Sequence, residues 1–171
     1  MNVFVALLRA VNVGGTGKLP MSNLRALCAG LGFESVATYI QSGNVVFQST
    51  ASARAVQQQL EAALASHMGK AHAVFVRSGE ELRAIEANQP FPDAAPNQVL
   101  VVFLEERPDA RVLAAVKPTG GEILVAGERE LYIHFPHGMG QSRLKIPFTG
   151  TRTARNLNTV RKLVALAEPA R

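Results

Sequence analysis

The order in which strand and helix periodicities alternate over the first 78 residues limits the fold more than any other feature. "VFVALLRAV" is a short run of aliphatic and β-branched residues, the pattern of a buried strand. "SNLRALCAGLG" follows with Leu24, Leu27, Cys28 and Leu31 at helical spacing, Ser22 placed to cap its start and Gly32 to stop it. "SVATYIQ" and "NVVFQS" are strand-like and are separated by a "SGN" turn signal. "SARAVQQQLEAALASHM" carries Val56, Leu60 and Leu64 on one stripe of a second helix, and "AHAVFVRS" closes the segment as a strand. The order β-α-β-β-α-β predicts a ferredoxin-like unit over residues 1–78, with two helices packed on one face of an antiparallel sheet.

Residues 79–171 partly repeat this order. "GEELRAIEAN" predicts a helix, "QVLVVFLEE" a strand, "PDARVLAAV" a helix with proline at its start, and "GEILVAG" with "RELYIHF" a hairpin across "GER". "HGMGQSRLKIPFTGT" has no periodicity, and "ARNLNTVRKLVALAE" predicts a closing helix with Leu157, Val160, Val164 and Ala167 inward. The reading is an α+β protein of two ferredoxin-like units, the second in the order α-β-α-β-β-α with a basic C-terminal helix.

The stretch between the first strand and helix, "RAVNVGGTGKLPMSNL", looks like a phosphate-cradling loop. It is not a Walker A loop: Gly17-Lys18 is followed by Leu19, and Asn12 stands where the first glycine belongs. A dinucleotide fingerprint fails as well, because no third glycine follows Gly15 and Gly17. No cofactor is read from the sequence. A simpler chemistry survives. Amides of a glycine-rich turn, a lysine beside them and a helix start after them can hold an anion, with Arg9 at the strand end close by.

Charge points the same way. The chain of 171 residues has a formal net charge of +5, and from Gln141 onward seven basic side chains are opposed only by Glu168. A basic segment this concentrated suits an anionic partner, either a small phosphorylated molecule or the backbone of a nucleic acid. On one continuous helix, Arg155 and Arg161 would diverge by roughly 120°, which argues against a full basic stripe. The single cysteine, Cys28, allows no intrachain disulfide or cysteine-based metal cluster and falls on an apolar stripe, so it reads as core. His134 and His137 lack a third ligand partner, and His67 and His72 read as surface residues at a helix end. No apolar run approaches the ~20 residues of a membrane span, and the start lacks the basic segment and cleavage site of a signal peptide. A cytoplasmic protein without a membrane partner is expected, its oligomeric state left open.

Three stretches, "LLRAVNVGGTGKLPMSNLRAL", "TYIQSGNVVF" and "RNLNTV", supported by "ELYIHFPHGMGQSRL", resemble domain-of-unknown-function family 1697 over essentially the whole chain. The resemblance implies a bacterial-type cytoplasmic α+β protein and brings no established activity. It picks out Arg9, Asn12, Gly14, Gly15, Lys18 and Pro20, then Tyr39, Ser42, Gly43 and Asn44, then Arg155, Asn156, Asn158 and Thr159. Two departures stand out: the family's usual glycine after the first arginine is Ala10, and its usual aromatic between the last two asparagines is Leu157. The candidate ligand-binding set is therefore Arg9, Asn12, Gly14, Gly15, Lys18, Ser42, Asn44, Arg155, Asn156 and Asn158, with Arg9, Lys18 and Arg155 expected to converge on one anion. A small transferase acting on a phosphorylated substrate is the enzymatic alternative, although no general base can be singled out.

Overall fold

The computed structural model describes residues 1–14, 17–146, 148 and 150–168. The first sheet is built from β1 (Asn2–Leu8), β2 (Glu34–Tyr39), β3 (Asn44–Ser49) and β4 (Val74–Ser78), in the order β2-β3-β1-β4 with every neighbour antiparallel. Helices α1 (Met21–Gly30) and α2 (Ala53–Met68) supply the two crossovers. This is the ferredoxin-like arrangement, and β1 lies centrally as the run of buried residues Phe4 to Leu8 requires.

Alternation along the strands divides the sheet into two faces. Phe4, Ala6 and Leu8 of β1, Val45 and Phe47 of β3, and Val74 and Val76 of β4 form one core with Leu24 and Cys28 of α1 and Val56, Leu60 and Leu64 of α2. Phe33 stacks on Phe47 with ring centroids 4.3 Å apart. Cys28 is a core thiol, and burial pushes its pKa up to about 12. Helix α1 begins differently from the sequence expectation. Pro20, not Ser22, occupies its N-cap position, and no side chain caps it. The fixed φ of the proline sets the entry into the helix, and Ser22 falls inside the first turn.

The second sheet holds β5 (Val99–Leu104), β6 (Ile123–Ala126), β7 (Glu130–His134) and β8 (Arg152–Asn156), in the order β6-β7-β5-β8, again all antiparallel. Helices α3 (Gly79–Ala87), α4 (Ala110–Ala114) and α5 (Leu157–Ala167) complete the chain. The strand order repeats that of the first sheet, so the protein is α+β with two ferredoxin-like units. In the second unit the irregular segment after β7 takes the place of a helix: Met139, Leu144, Ile146 and Phe148 pack on the cluster of Val102, Leu104, Leu131, Ile133 and Phe135. By contacts the chain divides into Met1–Arg83 with Lys162–Arg171, and Ala84–Arg161.

One element contradicts the sequence reading. Ala154, Arg155 and Asn156, expected in the first turn of the last helix, belong to strand β8, with Arg155 opposite Val101 of β5. The backbone ladder with β5 outweighs the weak helical preference of "TARN". Arg155 and Arg161 therefore do not share a helix, and the angular argument made from their spacing does not apply. Helix α5 starts at Leu157 and buries Leu157, Val160, Leu163 and Ala167, with Val164 only partly covered.

Candidate anion site

Strand β1 ends in a pair of backbone bonds. The Leu8 amide donates to the Gly43 carbonyl at 2.9 Å, and the Arg9 amide donates to the Ala73 carbonyl at 2.9 Å. Beyond this point Ala10, Asn12 and Gly14 have φ values of 57°, 56° and 55°, so every second residue is left-handed. The loop turns back on itself, and the Asn12 amide donates to the Gly17 carbonyl at 3.2 Å. Glycine and asparagine suit such backbone; alanine does not. Ala10→Gly is expected to raise stability by roughly 0.5–1 kcal/mol, seen as a rise of about 1–4 °C in thermal midpoint. An unchanged or lower midpoint would show that Ala10 carries no backbone strain.

Asn12 holds the loop closed. Its Nδ2 donates to the carbonyls of Leu19 and Gln41, each at 2.8 Å, and its Oδ1 accepts the Leu19 amide at 2.7 Å. Both amide hydrogens are used on backbone, one on each side of the site. Leu19 itself is fully buried and anchors the loop's far end in the core. The bond to Gln41 ties the loop to the turn between β2 and β3. In that turn Asn44, also fully buried, donates from Nδ2 to the Tyr39 carbonyl at 2.9 Å and to Ser42 Oγ at 3.0 Å. Gly43, at φ 88°, lies against Val11 and Leu8. The first two candidate stretches are therefore joined in the first unit, at one end of β1 and β3.

On this scaffold Arg9, Gly14 and Lys18 are exposed, whereas Gly15 lies outside the described residues. The chain passes from Lys18 through buried Leu19 and exposed Pro20 into α1. The helix has no side-chain cap and no acidic residue in its first turn. Its first amides carry the positive end of the helix dipole.

His72 was missed by the sequence reading, which put it at the surface. It is 4% exposed, and its Nδ1, carrying the proton, donates to the Arg9 carbonyl at 3.2 Å. Its Nε2 is buried with no partner among the described residues. A lone histidine between alanines gives no periodic signal. Its burial comes from lying just before β4, beside the end of β1.

The third stretch lies in the second unit. Arg155 is 7% exposed and donates from Nη1 to Thr153 Oγ1 at 2.8 Å and to the Ala154 carbonyl at 2.9 Å. Burial lowers its pKa to about 10, which leaves it cationic at neutral pH. Asn156 Oδ1 accepts the Thr159 amide at 3.0 Å and caps α5, and Asn158 is exposed. Leu157 is 1% exposed and belongs to the core. Of the other basic residues of this segment, Arg152 donates to the Phe148 carbonyl at 2.9 Å and Arg161 pairs with Glu86 at 3.0 Å. Arg143, Lys145 and Lys162 are exposed, and Arg171 is outside the described residues. The second unit also holds a cavity of about 190 Å³ lined by Glu122, His137 and Ser142. The Ser142 hydroxyl, at 2.6 Å, is the main cause holding the Glu122 carboxyl below its usual range, helped by the Gly120 amide at 2.8 Å. Among the described residues no group of three or more metal-ligating side chains stands together, and no helix is long and apolar enough to cross a membrane.

A family model described as protein of unknown function (DUF1697) matches residues 1–132. Among solved structures, the conserved bacterial protein SP0830 from Streptococcus pneumoniae is similar, with 27% sequence identity and a TM-score of 0.79 over 98% of this chain and 99% of its own. No curated protein matches the chain in sequence.

Proposed function

The chain belongs to the DUF1697 family of proteins of unknown function, and we propose that it binds a small phosphate-bearing anion at the loop between β1 and α1. The observation that carries this reading is the start of α1, which has neither a side-chain cap nor an acidic residue in its first turn and is separated from the exposed Lys18 only by Leu19 and Pro20. Free amides at a helix start are polarised toward an anion, and oxygens of a phosphate can bridge them to a neighbouring ammonium. Arg9 offers a planar fork of donors from the strand end, suited to a phosphate's geometry. Asn12 supports the reading indirectly: a loop already closed by three hydrogen bonds loses little freedom when a ligand arrives. The loop lacks the Walker A hydroxyl, so the reading is recognition of phosphate, with no hydrolysis step attached.

The nucleic-acid alternative draws on the basic C-terminal segment. There Arg155 is buried, Arg161 is paired with Glu86 and Arg152 is bonded to a carbonyl, which favours the small ligand. Calorimetric titration with pyrophosphate, across a salt series and beside labelled DNA and RNA oligonucleotides, tests both. Pyrophosphate binding is expected to weaken roughly tenfold, about 1.4 kcal/mol, in each of Arg9→Ala and Lys18→Ala. Affinity unchanged in both variants would sink the proposal. Tight oligonucleotide binding with a log–log salt slope of about −4 or steeper would transfer the function to nucleic acid.

A further inference from the structure

The cavity of about 190 Å³ in the second unit has walls of a different chemistry from the anion site. Among the residues lining it, Glu122 carries the only carboxylate, and that side chain is 6% exposed. Phe135 and Pro136 form the apolar part of the wall, and the exposed His137 and Gln141 complete it.

Several donors of this wall are already spent. Ser142 Oγ donates to Glu122 Oε1 at 2.6 Å, and the same hydroxyl oxygen accepts the Leu144 amide at 3.1 Å, so its proton is fixed on the carboxylate. The Gly120 amide donates to Glu122 Oε2 at 2.8 Å, and the Gly138 amide donates to the Phe135 carbonyl at 3.0 Å. A carboxylate offers about four lone-pair directions, so roughly two on Glu122 stay open. Its charge is not neutralised. Among the described residues no lysine or arginine pairs with Glu122, and Arg143 and Lys145, which follow Ser142 in the chain, are exposed. The ionisable neighbour is the exposed His137, which makes no ion pair with it. A buried carboxylate held only by neutral donors is costly to keep, and here the cavity borders it.

We propose that this cavity is a second binding site, for a small primary alkylammonium ion, with the ammonium group on Glu122 and the methylenes against Phe135 and Pro136. The open lone pairs call for N–H donors, and the uncompensated charge calls for a cation. An anion meets a carboxylate there and is repelled. A metal ion calls for a fuller ligand set, and among the described residues no group of three or more metal-ligating side chains stands together. The volume has room for on the order of six heavy atoms, the size of a five-carbon amine. All of these residues belong to the second unit, so the proposal does not rest on the anion reading.

Amide NMR titration of the full chain with n-pentylamine hydrochloride tests it. Saturable shifts are expected at Gly120, Glu122 and Ser142, with a dissociation constant on the order of 1 mM. Two isolated changes of the probe separate the causes: 1-pentanol keeps the chain and loses the charge, and tetramethylammonium keeps the charge and loses the N–H donors. Each is expected to bind at least about tenfold more weakly. Glu122→Gln keeps the shape and one acceptor while removing the charge, and a loss of at least about tenfold in pentylamine affinity is expected. The probe comparison uses the unmodified protein, so it holds whether or not that variant folds. No saturable shift up to about 20 mM, the same shifts from 1-pentanol or sodium chloride at equal concentration, or unchanged affinity in a folded Glu122→Gln overturns the proposal.

Discussion

Gly43→Ala is expected to destabilise the protein by about 3 kcal/mol, from roughly 1–2 for left-handed backbone and roughly 1–3 for overpacking. The residue sits at φ 88°, where a side chain is already unfavourable, and a Cβ there would lie 2.6 Å from Val11 Cγ2 and 2.9 Å from Leu8 Cβ. Leu8 Cβ is fixed by the central strand and cannot swing aside. The Gly43 carbonyl also accepts the Leu8 amide, so displacement of the turn breaks the last rung of the β1–β3 ladder. For a chain of this length the thermal midpoint should fall by about 10 °C. Gly30→Ala is the matched control: a Cβ at Gly30 meets nothing within 4 Å, it lies within α1, and the change is expected to be neutral or mildly stabilising. A midpoint for Gly43→Ala within about 2 °C of the unmodified protein would contradict the close approach of loop and turn.

Asn12→Ala is expected to have an effect of similar size through a different cause. It strands the Leu19 amide and the Leu19 carbonyl, at about 1 kcal/mol each, releases the exposed Gln41 carbonyl to water, and places alanine at φ 56°, adding about 1 kcal/mol. Chemical denaturation should show a loss of about 3 kcal/mol. Because the loop is no longer pinned to the turn, anion affinity falls as well. Lys18→Ala behaves in the opposite way, with stability kept and affinity reduced, since its side chain is exposed. If Asn12→Ala leaves stability intact and alters only binding, Asn12 is a ligand contact and not a clamp.

The ferredoxin-like order of the first unit was legible because its apolar periodicities are long and switch cleanly between the strand and helix repeats. Val56, Leu60 and Leu64 show the helical stripe, and the run from Phe4 to Leu8 shows a strand covered on both faces. Strand β8 was not legible. Arginine and asparagine are weak strand formers, and the pairing of Arg155 with Val101 depends on a partner more than fifty positions away. The candidate loop could be recognised from Gly14, Gly17 and Lys18, but its geometry could not. The bond from Asn12 to Gln41 and the burial of His72 beneath Arg9 are consequences of β1 lying between β3 and β4. Local sequence identifies residues that can turn or cap; strand order decides which carbonyl they reach.

The most direct test is an amide NMR titration with pyrophosphate, reading Lys18, Met21 and Ser22 against the rest of the backbone. Binding at the start of α1 predicts saturable shifts confined to the loop and the first helical turn. They should be abolished in the Arg9→Ala/Lys18→Ala double variant, with the remaining spectrum unchanged. Shifts absent from Lys18, Met21 and Ser22, or located instead on residues of the second unit, would contradict the account.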